Sequence, residues 1–404
     1  MWEKEIWNYN IKIHYIWTFI SSIMFLEPIV SLYYIHNWLN LNSIVLLTAL
    51  YSFFIFLFEL PTSSIGDTLW RTFTMRASVI CTLIGIVLYL ICPNIYGFVI
   101  ALLFKWLGTA LWSGTGHSKL QEDLEAAQKN QNFWKIIWRL IWLQQIWQII
   151  TPVGIYFVLK YFSLDWFSIL AWLDIFIFFI AVIFVFKFKE LDSYKKEIWK
   201  SFKENISIQI KTIKKALIFF WNSKILKLFL LVMITWNSLN YIQTILLPNF
   251  VKSWFQNYLS SYLVWFIIIF GIAGNFLAGK ISKYINRELL LSLSILGNSI
   301  LYIFAFYFYE NWFIFAAIGI AVSFIIGIYI PARNHIFMEL SNIQQKASLR
   351  SIFLLITKFF EFIILYFFSI FYIKNNLLIL WIYLFLWFIV SVIFYYKAFS
   401  NQNL

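Results

Sequence analysis

The sequence predicts an all-α polytopic membrane protein, with twelve transmembrane helices in two six-helix bundles around a central cavity. Three observations carry this expectation. The 404 residues are 62% hydrophobic and only 12% charged, with a mean hydropathy of +0.79, which leaves too little polar surface to cover a soluble core. The apolar residues come in continuous runs of about 20, the length of a bilayer-crossing helix, rather than in the shorter period-two segments of a membrane barrel. The basic residues fall almost entirely between these runs, as they do when they set membrane orientation.

Taken in order, the runs place spans near 11–35, 42–61, 75–95, 96–116, 134–159, 163–187, 226–249, 258–279, 288–309, 312–333, 352–373 and 376–397. An even number puts both ends of the chain on one face. Of the 31 Lys and Arg, only Lys160, Lys252 and Lys374 lie on the opposite face, while Lys105 and Lys358 fall inside spans. Both termini are therefore expected on the cytoplasmic side of the cytoplasmic membrane. The polar opening MWEKEIWNYN gives no sign of a cleavable signal peptide.

The longest polar stretch divides the chain into a six-span bundle at 1–187, a connecting segment at 188–224 and a second bundle at 225–404. In the connecting segment Leu191, Tyr194, Ile198, Phe202, Ile206, Ile210, Ile213 and Leu217 recur at helical spacing, with lysines between them. That pattern suits an amphipathic helix lying on anionic headgroups, or equally a helix packed on the bundle ends.

The net charge of +13 belongs to this loop asymmetry and implies no nucleic-acid partner. The aromatic content of 22% excludes a disordered chain. Cys81 and Cys92 form neither a disulfide framework nor a metal-ligand pair, and the four His have no ligand spacing. No metal and no cofactor are expected. There is also no Gly-rich phosphate loop and no nucleophile–base arrangement, so an enzyme is disfavoured.

Charges inside apolar spans are costly and mark function or pairing. Glu27 precedes Pro28 in the first span, where the missing amide opens the helical ladder, and Asp174 lies in the middle of the sixth. Each either lines a cavity or pairs structurally. Lys105 stands within the fourth span and needs a hydrated cavity, a carboxylate partner or a route to the interface. Lys358 and Glu361, three apart on one helix face, read as a self-neutralising pair.

Span 2 runs into Phe58-Glu59-Leu60-Pro61-Thr62 and then Ser63-Ser64-Ile65-Gly66-Asp67-Thr68-Leu69-Trp70-Arg71. This stretch, read as a short loop, resembles the helix 2–3 signature of the major facilitator superfamily, and most closely its bacterial drug- and macrolide-exporter branch. Glu59, Pro61, Thr62, Asp67 and Arg71 match the signature, whereas Ser63, Gly66, Thr68 and Trp70 depart from it. The resemblance implies that Asp67 and Arg71, with Glu59 and Pro61, form a cytoplasmic latch of the outward-facing state. Lys105-Trp106-Leu107-Gly108-Thr109-Ala110 resembles the helix 4 segment whose Arg is associated with proton coupling, and Lys105 stands near that position. Ser113-Gly114-Thr115 with Leu120, Glu122 and Leu124 is similar to a further exporter stretch. Thr151-Pro152-Val153-Gly154 is a partial echo of the antiporter motif. Asn275, Gly279, Lys280 and Arg287 resemble a degenerate second latch, and Pro331 with Lys346-Ala347-Ser348 and Ser351 resembles the segment before helix 11.

The resemblance implies a monomeric secondary active transporter. It would move a small, partly hydrophobic compound by alternating access, as proton-coupled export, with Lys105, Glu27 and Asp174 at the coupling site or in the substrate cavity. Its partners would be that substrate, protons and membrane lipids. Nutrient uptake or uniport on the same fold is the alternative, followed by a non-transporting membrane sensor.

The chain has 21 Trp and only 13 Gly, although average Gly usage is about 7% and membrane helices usually exceed it. Trp38, Trp70, Trp138 and Trp147 stand where the family that the chain resembles has Gly. Either these are interfacial anchors in a Trp-rich membrane protein, or some are UGA codons whose native product is Gly.

Overall fold

The computed structural model describes residues 2–68, 71–126, 133–161, 166–190, 269–278, 287–308, 317–329, 346–371 and 385–393, with isolated positions between them. Most of the described residues are helical, with no strand among them. The chain forms two compact units, Met1–Thr212 and Ile213–Leu404.

The first unit contains α1 (Trp2–Ser21), a single 3-10 turn (Glu27–Ile29), α2 (Val30–His36), α3 (Leu41–Thr68), α4 (Arg71–Ile91), α5 (Ile95–Ala126), α6 (Phe133–Tyr161) and α7 (Trp166–Phe186). Short polar punctuation separates these helices. The Asn40 side chain caps the start of α3 by accepting from Ser43 N at 2.8 Å. Asn94, just after Pro93, does the same for α5 through Gly97 N at 2.9 Å. Each satisfies an amide that the first helical turn leaves open.

Leu41–Glu59, Arg71–Ile91, Ile95–Trp112 and Trp166–Phe186 are long and apolar enough to cross a membrane, and the chain is an integral multi-pass membrane protein. On α7, Phe167, Leu170, Ala171, Asp174, Phe178, Ala181 and Val185 are buried, while Trp172, Phe176, Phe179, Ile183 and Phe186 are exposed. Both stripes follow the helical period; the outer one is aromatic and suits acyl chains.

Two expectations need correction. The span expected at 11–35 is not one helix: α1 stops at Ser21 and the chain resumes helical form only at Glu27. The stretch from Glu59 onward is not a loop either, because α3 continues through Pro61 to Thr68. Pro61 removes one helical hydrogen bond, but continuing the helix keeps the following amides bonded within it. Thr62 Oγ1 donates to Phe58 O at 2.7 Å and to Glu59 O at 3.2 Å, using carbonyls of that same turn.

Helices α4 and α5 approach closely along small residues. A Cβ on Gly85 would lie 2.8 Å from Ala101 O and 2.8 Å from Lys105 N, and one on Gly108 would lie 2.6 Å from Ser78 O. Ser78 Oγ donates across this seam to Gly108 O at 2.6 Å. Small residues that let backbones meet are how membrane helices associate without a hydrophobic driving force.

The second unit contains α8 (Ile269–Ala278), α9 (Arg287–Tyr307), α10 (Ala317–Tyr329) and α11 (Lys346–Phe371), and residues 385–393 are helical. Glycines again set the closest approach: a Cβ on Gly327 of α10 would lie 2.0 Å from Gly271 O of α8. Most of the connecting segment at 188–224 and of the span expected at 226–249 lies outside the described residues.

Candidate functional site

The break in the first helix organises one site. After Ser21 the backbone makes two closing bonds, Ser22 N to Thr18 O at 3.2 Å and Ile23 N to Ile20 O at 3.1 Å. The amides of Phe25 and Leu26 then have no helical partner. Asp174 on α7 supplies both acceptors: Phe25 N donates to Oδ1 at 2.7 Å and Leu26 N to Oδ2 at 2.9 Å. Pro28 stands at the start of the 3-10 turn, where a missing amide costs nothing. A buried carboxylate thus caps the second half-helix in charge-assisted bonds. Gly154 on α6 completes the enclosure, since a Cβ there would lie 2.6 Å from Phe25 Cε1.

Glu27, freed from a regular helix, pairs with Lys105 of α5. The pair is asymmetric: the Lys105 side chain is 17% exposed and that of Glu27 56%. Lys105 lies in the membrane-spanning stretch Ile95–Trp112, and its Nζ sits 5.9 Å from the centre of the Tyr89 ring. Below it is an aromatic floor. The hydroxyls of Tyr34 and Tyr89 are 2.6 Å apart, and Tyr33 Oη donates to Tyr89 O at 2.8 Å. Phe98 packs edge-on against Tyr34 at 4.8 Å. The Gly85 contact fixes Lys105 from behind, because it leaves no room for the backbone of α5 to shift toward α4. Sequence reasoning singled out Glu27, Lys105 and Asp174; the structure brings all three to the helix 1 break.

A second polar cluster lies where α1, α4, α5 and the chain leaving α7 meet. Asn10 Nδ2 donates to Asp123 Oδ1 and to Lys189 O, both at 3.0 Å, and Lys189 N donates back to Asn10 Oδ1 at 3.1 Å. Lys119 Nζ binds Asp123 Oδ1 at 2.8 Å, and both residues are fully buried. Arg76 donates to Phe186 O at 3.1 Å and to Phe188 O at 3.2 Å. Thr72 N donates to Glu190 Oε2 at 3.1 Å, and the Thr72 hydroxyl bonds the same oxygen. Asp123 lies beyond the membrane-spanning stretch; burial raises its carboxyl above the ordinary 3.8, against the pull of Lys119 and Asn10. This cluster was missed in the sequence. The Lys119–Asp123 spacing of four was its one local signal.

Of the expected latch, Glu59 is buried on α3 and Arg71 opens α4. Asp67 and Pro61 lie on α3, with side chains outside the described residues, as are those of Glu122, Lys280 and Arg287. Lys358 Nζ contacts both Glu361 oxygens, at 3.0 and 2.9 Å, and so neutralises it. No group of three or more His, Cys, Asp or Glu among the described residues is placed to hold a metal.

No protein-family model matches the chain, and no curated sequence does. Solved structures do. A mutant form of the nucleoside transporter NupG is similar over 98% of this chain and 99% of its own, with a TM-score of 0.74 at 12% identity. A POT family transporter in complex with 5-aminolevulinic acid is similar over 97% and 95%, with a TM-score of 0.73 at 12% identity. A D-xylose-proton symporter is similar over 96% and 94%, with a TM-score of 0.68 at 11% identity. Helices of membrane-crossing length, small-residue seams and this likeness over nearly its whole length establish that the chain has the fold of the major facilitator transporters.

Proposed function

We propose that the protein is a proton-coupled secondary transporter of a small organic solute, working by alternating access in the cytoplasmic membrane as a monomer with both termini inside. The bundles at 1–187 and 225–404, joined by 188–224, would rock about a central cavity, with Asp67, Arg71, Glu59 and Pro61 as the latch. The observation that carries this reading is the Glu27–Lys105 pair: a cation inside a spanning helix, matched by a carboxylate with one side open. Such a pair is costly unless it is used or held. Protonating Glu27 releases Lys105, which links proton binding to rearrangement of the broken helix. Asp174 is the positioning residue that keeps the break in register.

Two directions have support. The match at Glu59–Arg71 favours export. The solved neighbours, among them a nucleoside transporter and a xylose-proton symporter, favour uptake. The test is flux into and out of proteoliposomes under an imposed proton gradient, with nucleosides, sugars, dipeptides and lipophilic cations as probes. Glu27→Gln and Lys105→Gln should each cut gradient-driven flux by about tenfold or more, equivalent to about 1.4 kcal/mol. Gradient-driven flux that survives both changes would remove the pair from the coupling role.

A further inference from the structure

Helix α2 ends in a complete left-handed cap. Asn37 is its C-cap residue, and Trp38 follows with a φ of 64°. Trp38 N donates to Ile35 O at 3.0 Å and Leu39 N donates to Tyr34 O at 3.0 Å. These are the two reciprocal bonds of a Schellman motif, and Trp38 occupies the position that glycine ordinarily fills. No other non-glycine residue among the described ones has a positive φ. For a residue with a side chain this conformation presses Cβ toward the following carbonyl, whereas glycine adopts it freely. The indole packs against no other part of the protein in exchange, since Trp38 is 96% exposed.

A second, independent observation points the same way. The indole N–H of Trp147 is buried without a hydrogen-bond acceptor, although a buried tryptophan N–H usually finds one; a glycine at that position would bring no such donor.

We propose that the codon at position 38 specifies glycine in the cell that makes this protein, as a UGA read as glycine, and that Trp70, Trp138 and Trp147 arise from the same codon. The backbone at 37–39 then needs no strained residue. An interfacial anchor does not account for Trp38, because an anchoring ring can sit at any exposed position of the turn and does not require the one left-handed site in it.

The test is tandem mass spectrometry of the peptide spanning residue 38, from full-length protein purified from its native host, together with the codon in its gene. A UGA codon with glycine in the peptide is the expected result. A UGG codon, or tryptophan in the peptide, overturns the proposal. The structural half is tested separately on chain made in a standard host. Trp38→Gly should raise the thermal midpoint by several degrees, and an unchanged or lower midpoint would show that the turn does not call for glycine.

Discussion

The first unit holds two polar clusters built from similar residue types, and they are opposites in design. At the helix 1 break, Glu27 and Lys105 meet across α5 with the carboxylate more than half exposed. At the α1–α5 crossing, Lys119 and Asp123 are sealed, and Asn10 takes up the remaining backbone groups of Lys189. The sealed pair has no face open to solvent, whereas the Glu27–Lys105 pair is open on the Glu27 side. The difference teaches that depth of burial, rather than the presence of charge, separates a pair left open on one side from one that fastens helices.

The contrast can be broken from the sealed side first, where the expected effect is largest. Lys119→Ala leaves Asp123 buried without its cation, which in such sites costs about 3–5 kcal/mol. The double change to leucine at 119 and 123 should recover most of that loss. Thermal unfolding in detergent checks both, and a single variant as stable as the parent would mean that the pair fastens nothing.

Asp174→Ala comes next. It strands the Phe25 and Leu26 amides, each at about 1–3 kcal/mol for an unsatisfied buried donor. Asp174→Asn keeps one acceptor and should fall between parent and alanine in the same assay. Equal midpoints for all three would remove the capping role.

A smaller effect is expected at Gly85, where valine must push against Ala101 O and Lys105 N. Overpacking of this kind costs about 1–3 kcal/mol, and a loss of flux larger than the loss of stability would show that the seam places Lys105. Glu27→Gln should change stability less than Lys119→Ala, since the glutamine amide oxygen can still accept from Lys105 and the Glu27 side of the pair is open. An unfolding midpoint that falls as far as that of Lys119→Ala would erase the distinction between the two clusters.

The pH dependence sharpens the same point. With its carboxyl raised by burial, Asp123 holds its proton more tightly in the folded chain than in the unfolded one. Its contribution to stability is therefore fully present below 3.8 and is lost as the pH rises through the folded-state value. Asp123→Asn should flatten the midpoint-against-pH curve over that window, read by thermal unfolding at stepped pH; an unchanged slope would assign the titration to another group.

Much of this was legible in the sequence because long apolar runs and isolated charges are local signals. Glu27, Lys105 and Asp174 stood out against their neighbours, and Pro28 marked the place where the first helix opens. The Glu59–Arg71 stretch misled for the opposite reason: the resemblance suggested a short loop, but α3 carries on through Pro61 to Thr68 and keeps its amides bonded within the helix. The Asn10–Asp123–Lys189 cluster was illegible because its partners lie 113 and 179 residues apart. No short-range pattern encodes such a meeting; it exists only once α1, α5 and the end of α7 have been brought together.

The fastening of residues 186–190 has a mechanical consequence. Arg76, Asn10 and Thr72 grip the chain at Phe186, Phe188, Lys189 and Glu190, so tension applied beyond Glu190 cannot be absorbed by unravelling the last turn of α7. It passes into α1 and α4, whose side chains hold those residues.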